Sequence, residues 1–276
     1  MTLTSAEILP ATQPSQAAAP ARAKETAAVL PVKAELLGKT IEDRPILHGI
    51  SLEIPAGQYI ALLGANGAGK STLLKILSTL IPPTSGTLTL FGQPAKSQSS
   101  GIRARIGLIG HQSMLYHDLS ALENLEFFAR LYGVNHPRQR ALELLQQLGL
   151  AARAKDVVKS FSRGMAQRVA IARALLHNPD LLLADEPFAG LDAPSTDLLE
   201  RTLAGLHAAG KTIILANHDI RQTLHLAQRA VVVARGRIVL DAPAPSLCIN
   251  TVLAHMEGRA AAHHAEQMDA VGGVIR

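Results

Sequence analysis

The sequence predicts an α/β fold, in which the short apolar strands of a parallel sheet alternate with helices. Three apolar runs, at residues 181–184, 212–216 and 230–234, alternate with stretches of helical spacing, as crossover connections require. A fourth apolar run at 58–63 is followed directly by a glycine-rich turn. The chain has 276 residues, 47% of them apolar, which is enough for one large domain with a continuous core.

The first folded element is expected to begin near residue 32. Residues 1–31 are rich in Ala and Pro and have little hydrophobic periodicity, so they predict a disordered lead. This lead lacks a basic start followed by an apolar stretch, and we expect no secretory signal in it. Residues 32–63 have a strand-like pattern, with turn residues at 42–45 and 55–57.

Apolar spacing and turn residues predict the elements that follow. Residues 71–80 have the spacing of a helix, and Pro82 prevents its continuation. A final hairpin strand is predicted at 237–240. The sequence therefore predicts one domain over 32–242 and a C-terminal tail over 243–276.

An inserted helical lobe is predicted at about 113–175. Its first part contains two helical patterns and almost no β-branched residues. The second of these helices is predicted at 137–148, where Pro137 suits the first turn and Gly149 suits a left-handed cap.

A phosphate-binding loop is predicted between the strand at 58–63 and the helix at 71–80. The segment matches G-x-x-x-x-G-K-[ST] and has the flanking strand and helix that this motif requires, whereas a glycine-rich turn without a ligand needs neither. Glycines let backbone N–H groups surround phosphate oxygens, while Lys70 should reach the terminal phosphates and the Ser71 hydroxyl should coordinate Mg²⁺. The predicted nucleotide-binding residues are Gly64, Ala65, Asn66, Gly67, Ala68, Gly69, Lys70, Ser71 and Thr72.

Two acids follow the apolar strand at 181–184. Asp185 and Glu186 would emerge at the carboxyl end of the strand, which is where open α/β sheets bind ligands. We expect Asp185 to hold Mg²⁺ and Glu186 to orient and deprotonate the water that attacks the terminal phosphoryl group. The alternative for such a pair is an exposed acidic loop.

Composition excludes several other classes of function. The net charge is +5, but the Phe, Tyr and Trp residues are few and scattered, so we expect no nucleic-acid partner. The single cysteine, Cys248, excludes an internal disulfide and a cysteine-based zinc cluster. No apolar run approaches the roughly 20 residues of a membrane-spanning helix.

A segment before the acidic strand resembles the signature of the ABC ATPases. In that family the pattern reads L-S-G-G-Q, which Ser162 and Gly164 match, while Phe161, Arg163 and Met165 depart from it. Ser162 is also a good N-cap for the helix that follows, and capping alone is the alternative explanation of this residue.

This resemblance covers residues 32–241 and implies a specific architecture and assembly. It implies a P-loop NTPase fold of the ABC nucleotide-binding type, with a mixed β-sheet core, an N-terminal antiparallel β region and the helical subdomain at about 113–175. It further implies that Ser162 and Gly164 bind the γ-phosphate of ATP held by a second copy of the chain. Hydrolysis would then require a dimer.

Three more positions match elements of the ABC family. Gln112 resembles the residue that links Mg²⁺ to the helical lobe, Asp192 the residue that couples the two sites, and His218 the residue that contacts the γ-phosphate. A lone His after a strand is usually structural, so the evidence for His218 is its order in this series. The family usually stacks adenine on an aromatic residue, but Ile41 occupies the corresponding position here.

Four segments are similar to the ATP-binding subunit of the haem exporter of cytochrome c maturation. This similarity implies an integral membrane permease as partner and a place at the cytoplasmic face of the cell membrane. Multidrug and polysaccharide exporters carry related segments, and an ABC scaffold ATPase without transport is a further alternative. A GTPase is disfavoured because the Asn-Lys-x-Asp motif is absent. The four segments are residues 106–112, 119–127, 161–165 and 185–188.

Overall fold

The computed structural model describes residues 29–95, 100–110 and 112–257. Its strands are β1 (Val32–Ile41), β2 (Arg44–Ile54), β3 (Tyr59–Leu63), β4 (Ser85–Leu90), β5 (Gln93–Pro94), β6 (Ile106–Ile109), β7 (Leu181–Asp185), β8 (Thr212–Ala216), β9 (Arg229–Ala234) and β10 (Arg237–Pro243). Its helices are α1 (Lys70–Leu77), α2 (Ser100–Arg103), α3 (Ala121–Leu131), α4 (Pro137–Gln147), α5 (Arg163–Leu175), α6 (Ala193–Ala208), α7 (Ile220–Leu224) and α8 (Ile249–Met256). Short 3-10 turns lie at Ala151–Arg153, Val158–Ser160 and Ala244–Ser246.

A six-stranded sheet forms the centre of the fold, in the order β10-β9-β3-β8-β7-β6. The five strands from β9 to β6 are parallel, and β10 pairs antiparallel with β9 at the edge. Every residue of β3, β7 and β8 is buried, as expected for strands that helices cover on both faces. The predicted α/β class with a mixed sheet is confirmed, and β7, β8 and β9 are the apolar runs that predicted it.

The two faces of this sheet belong to two separate hydrophobic cores. In β3, Ile60 and Leu62 pack with α1 and with strands β1 and β2, whereas Ala61 and Leu63 pack with the helices on the opposite side. Alternate residues of a strand point to opposite faces, so a continuous apolar run supplies both cores. Strand β3 is therefore packed on both faces, which fixes the position where the loop after Leu63 begins.

The N-terminal region forms a second, antiparallel sheet in the order β2-β1-β4-β5. Its first hairpin turns at Glu42 and Asp43, which both have positive φ, 46° and 60°. Ile41 and Arg44 form the last pair of that hairpin. The predicted antiparallel β region is confirmed.

The helical lobe consists of α3, α4 and α5. A capping box begins α3, because the Ser120 hydroxyl accepts from the Glu123 backbone and the Glu123 carboxylate accepts from the Ser120 backbone. Pro137 occupies the first turn of α4, and Gly149 follows that helix with φ +67°. These are the caps that the sequence predicts.

Helix α1 ends three residues before the predicted end at residue 80. Thr79 adopts φ +61°, which reverses the chain ahead of Pro82, and Leu80 is exposed. The apolar spacing continued past the helix because Leu80 is apolar without being part of the core.

The chain beyond the predicted domain boundary continues to pack on the domain. β10 extends to Pro243, three residues past the predicted strand, and Val252 of α8 is fully buried. Residues 1–28 and 258–276 lie outside the described residues, so most of the predicted lead and part of the predicted tail cannot be compared. Within the described residues, no helix is both long enough and apolar enough to span a membrane.

Candidate functional site

The predicted phosphate loop connects β3 to α1. Gly64 leaves β3 so close to β9 that a Cβ on it would lie 2.3 Å from the Val233 carbonyl oxygen. Gly69 precedes the first turn of α1 with φ +110°, and a Cβ there would lie 2.7 Å from the Leu47 side chain. Both positions therefore require glycine, for close backbone approach at the first and for backbone conformation at the second.

Lys70 closes over the loop that precedes it. Its side chain is only 5% exposed, and Nζ donates to the Gly64 and Ala65 carbonyl oxygens at 2.7 and 3.1 Å. Burial lowers the pKa of this ammonium group, and the negative charges of Glu186 and Asp185 oppose that shift. A cation is thus held inside the loop at the start of α1, where the helix dipole also favours an anion.

A cleft of about 470 Å³ brings the loop and the two acids together. This size is within the range of small-molecule sites, which is roughly 300–1,000 Å³. The cleft has a cationic and amide-rich wall and an acidic wall, as a Mg²⁺–nucleotide site requires. Its lining residues are Ile46, Asn66, Gly67, Gly69, Lys70, Ser71, Thr72, Asp185 and Glu186.

The two acids differ in environment. Asp185 ends β7 and is 7% exposed, and its Oδ1 atom is buried without a hydrogen-bond partner among the described residues. Glu186 follows with φ +50°, and its backbone N–H donates to the Ala216 carbonyl oxygen of β8. A buried carboxylate oxygen without a donor is costly unless a ligand satisfies it, which is consistent with a cation at Asp185.

His218 lies next to Glu186 after strand β8. Its Nδ1 atom is 3.4 Å from the Glu186 carboxylate. The buried Asn217 side chain fixes the turn, because its Oδ1 atom accepts from the His218 and Asp219 backbone N–H groups. The histidine and the acid therefore meet at the carboxyl ends of neighbouring strands, and contact of His218 with the γ-phosphate stays a prediction.

The three predicted metal ligands share one cavity. Ser71, Asp185 and Gln112 all line a second cavity, of about 370 Å³, which adjoins the first through Ser71 and Asp185. A hydroxyl, a carboxylate and a side-chain amide supply oxygen ligands, which are those that Mg²⁺ prefers. The residues present therefore fit this ion.

The signature-like segment lies elsewhere on the chain. Ser162 caps α5 by accepting from the Met165 backbone N–H at 3.2 Å, and Asp192 caps α6 by accepting from the Ser195 backbone N–H at 3.0 Å. A Cβ on Gly164 would lie 3.7 Å from the Ser195 hydroxyl, so the two helix starts are neighbours. Ser162, Gly164 and Asp192 thus form one surface.

Arg163 joins this surface to the loop before α6. Its side chain packs directly on Gly190, where a Cβ would lie 2.6 Å from the Arg163 Nε atom. Gly190 has φ +75°, so the backbone conformation and the packing both favour glycine there. The residue that departs from the family pattern is therefore accommodated by a neighbouring glycine.

The structure thus divides the predicted site residues into two groups. Asp185, Glu186, Gln112 and most of the phosphate loop line adjoining cavities, with His218 next to Glu186. Gly64, Ala65 and Ala68 of the loop do not line them. Among the described residues that line these two cavities, none belongs to the surface formed by Ser162, Gly164 and Asp192.

Ile46 is a cleft residue that the sequence did not predict. It lines the cleft from β2, whereas Ile41, at the predicted adenine position, is 43% exposed and does not line the cleft. Only the register of the β1–β2 hairpin decides which isoleucine faces the loop, and the apolar pattern alone does not reveal it.

Comparison with known proteins gives a family, two relatives and a solved structure. Residues 47–189 match the family described as ABC transporter. The linearmycin resistance ATP-binding protein of Bacillus subtilis (strain 168) is 35% identical over 219 residues, which are 79% of this chain and 70% of that protein. The phosphonates import ATP-binding protein 2 of Nostoc sp. (strain PCC 7120) is 42% identical over 216 residues, which are 74% and 88% of the two chains. The solved dimeric structure of MJ0796, a bacterial ABC transporter cassette, has a TM-score of 0.73 and 29% identity and covers 78% of this chain and 100% of its own.

Proposed function

Since this chain belongs to the ABC transporter family, we propose that it supplies the energy for haem export in cytochrome c biogenesis. As the ATP-binding subunit of an ABC transporter, it is an ATPase that uses ATP together with Mg²⁺.

The cleft supports a division of labour in ATP hydrolysis. The backbone N–H groups after Gly64 and the Lys70 ammonium hold the phosphates, while Ser71, Asp185 and Gln112 would hold Mg²⁺, which neutralises charge on the phosphates when bound. Glu186 accepts the proton of the attacking water. Its backbone is held at the end of β7 by the bond to Ala216 of β8, and its carboxylate lies 3.4 Å from His218.

The separation of the two groups of residues is the observation that supports a dimer. Ser162, Gly164 and Asp192 form a surface outside the chain's own cleft. If they bind ATP, as family membership implies, that ATP lies in the cleft of a second copy. A two-fold pair would then contain two complete sites, each with a loop from one chain and a signature-like surface from the other. The dimeric MJ0796 structure supports this arrangement.

An apolar surface on the helical lobe is proposed as the docking site of an integral membrane permease. Tyr116, Phe127 and Leu131 are large exposed apolar residues on and next to α3, and the Tyr116 and Phe127 rings pack edge to face. Exposed apolar side chains on a helix suit the docking of a helix from a membrane subunit. This partner would keep the chain at the cytoplasmic face of the membrane as a peripheral protein.

The four segments with similarity to the haem exporter subunit support haem as cargo. The two relatives reported above are named for linearmycin resistance and phosphonates import, so their names favour other cargoes. A multidrug or polysaccharide exporter is the second candidate, and a scaffold ATPase without a permease is the third. Cargo and permease therefore have to be tested separately from hydrolysis.

Hydrolysis and assembly are tested by Glu186→Gln, which keeps the size of the side chain and removes the base. We expect this variant to bind ATP, to lose hydrolysis and to accumulate as a dimer in native mass measurements with Mg²⁺ and ATP. Normal hydrolysis by a monomer would exclude both the base and the dimer.

Docking is tested by Phe127→Ala, with Leu142→Ala as the matched control on α4. Both side chains are 39% exposed, but only Phe127 belongs to the proposed docking surface. We expect Phe127→Ala to keep basal ATPase activity and to lose co-purification with the permease and its stimulation of hydrolysis. Glu123 is a poorer choice because it caps α3. Equal effects of the two substitutions would argue against the docking surface, and haem-dependent stimulation of the complex would separate haem export from the other cargoes.

A further inference from the structure

We propose that Asn124 and Arg173 are positioning residues for Gln112, because they hold the backbone on both sides of it. This inference rests on the role proposed above for Gln112 at the Mg²⁺ site. Neither residue lines the nucleotide cleft, and each reaches the segment from a different helix of the lobe. The alternative is that each residue only stabilises the helical lobe and has no effect on Gln112.

Asn124 holds the chain after Gln112. It is 0% exposed on α3, and its amide nitrogen donates to the Tyr116 carbonyl oxygen at 2.9 Å while its oxygen accepts from the Tyr116 backbone N–H at 2.8 Å. The same nitrogen also lies 3.0 Å from the Ser120 carbonyl oxygen. A side-chain amide that pairs with both backbone groups of one residue acts like the neighbouring strand of a sheet, and it fixes that residue in two directions.

Arg173 holds the chain before Gln112. It is 5% exposed on α5, and Nη2 donates to the Leu108 carbonyl oxygen of β6 at 2.7 Å. One turn later, His177 Nε2 lies 3.0 Å from the Ile106 carbonyl oxygen of the same strand. Leu108 and Tyr116 each lie four residues from Gln112, on opposite sides.

The burial of Arg173 indicates that its bond to Leu108 is not incidental. Burial lowers the pKa of its guanidinium, and its Nε atom has no hydrogen-bond partner among the described residues. A buried cation that is only partly satisfied is costly, and an apolar residue of similar volume would fill the same space without that cost. Its bond to Leu108 is the specific interaction that such a residue could not make.

Arg173 also lies against Phe128, a ring that packs under the docking surface. Its guanidinium carbon lies 5.4 Å from the centre of the Phe128 ring, and this ring packs against Phe127 and Tyr116. Asn124 binds the backbone of the same Tyr116. A docked partner that displaces α3 would therefore disturb both contacts that hold the segment around Gln112. These are the bonds of Asn124 to Tyr116 and of Arg173 to Leu108.

The proposal is tested with Asn124→Ala and Arg173→Met in the hydrolysis-deficient Glu186→Gln background. The measured quantity is the ratio of ATP affinity with Mg²⁺ to ATP affinity in EDTA. We expect each variant to lower that ratio about tenfold, as loss of a residue that orients a metal ligand commonly does. Arg173→Lys keeps the charge without the forked donor and should show a smaller loss while remaining folded.

Arg140→Met is the matched control. Arg140 also donates from the helical lobe to backbone carbonyls, those of Leu175 and Leu176, but it does not contact the chain around Gln112. We expect it to leave the ratio unchanged. In the nucleotide-free chain, amide hydrogen exchange of the peptide carrying Gln112 should be faster in the Asn124 and Arg173 variants and unchanged in the control.

A double-mutant cycle separates positioning from general stabilisation. In a Gln112→Ala background, Asn124→Ala should lower the affinity ratio no further, because the ligand it positions is absent. Additive losses would overturn the proposal, as would unchanged ratios for both Asn124→Ala and Arg173→Met. If Gln112→Ala alone leaves the ratio unchanged, the role of Gln112 in the proposed function fails instead.

Discussion

Glu186→Gly should make the nucleotide-free chain more stable than Glu186→Gln, although both substitutions remove the carboxylate. Glu186 has φ +50°, a backbone conformation that costs an L-residue with a side chain roughly 1–2 kcal/mol and costs glycine almost nothing. Glycine also gives the unfolded chain more freedom, which offsets about 0.4–1 kcal/mol of that gain. The expected net increase in the free energy of unfolding is about 0.5–1 kcal/mol.

Lost side-chain contacts change this value little. The Glu186 carboxylate lies 3.4 Å from His218, whose side chain is 60% exposed, and such partly exposed pairs contribute less than about 1 kcal/mol. Comparison with Gln rather than Glu removes most of this contribution, because both variants lack the charge. The difference in the free energy of unfolding between the two variants therefore measures the cost of the positive φ at residue 186.

Urea unfolding in EDTA without nucleotide measures the difference, and thermal unfolding should show a rise of about 1–4 °C. The same pair of substitutions at Glu143, in the middle of α4, is the control, because glycine there should be less stable than glutamine by about 1 kcal/mol. If glycine lowers stability at both positions, the reasoning from the backbone of Glu186 is wrong.

Three further predictions concern other parts of the chain. Lys70→Met should weaken ATP binding at least tenfold in equilibrium titration, because the buried ammonium is the cation nearest the expected phosphates. The hydrogen bond with Thr251 holds the pKa of the exposed Cys248 thiol below its ordinary value, so Thr251→Val should move the midpoint of alkylation to higher pH. The Cys248 thiol would then lose its proton only at higher pH, and an unchanged pH profile of alkylation would contradict this prediction. Val252→Ala should lower the free energy of unfolding by roughly 2 kcal/mol, since it removes two fully buried methyl groups; a loss near zero would mean that α8 is not part of the cooperative unit.

The sequence predicted those site residues whose geometry is local. The phosphate loop was found because its glycines, Lys70 and Ser71 are consecutive and have a strand and a helix as neighbours. Asp185 and Glu186 were found because an apolar strand ends there. In both cases the local chain fixes the placement, and the structure puts Lys70, Ser71 and the two acids in one cleft.

The features that the sequence did not predict depend on contacts between distant segments. Ile46 enters the cleft only through the register of β1 and β2, whose pairing shifts at three places. The bond from Arg173 to Leu108 joins residues 65 positions apart. The sequence pattern of α5 does not reveal such a pair. A buried arginine occupies the same position in that pattern whether it bonds to a carbonyl group or to another partner. The end of α1 was missed for a similar reason, since the positive φ of Thr79 leaves no apolar signal.

The placement of Lys70 and Ser162 on separate surfaces of one chain has a genetic consequence for the proposed dimer. Defective alleles should fall into two complementing groups, one altered in the cleft and one altered around Ser162. A mixed dimer of one allele from each group contains one site with both defects and one site with neither. Two alleles from the same group should never restore an intact site to each other.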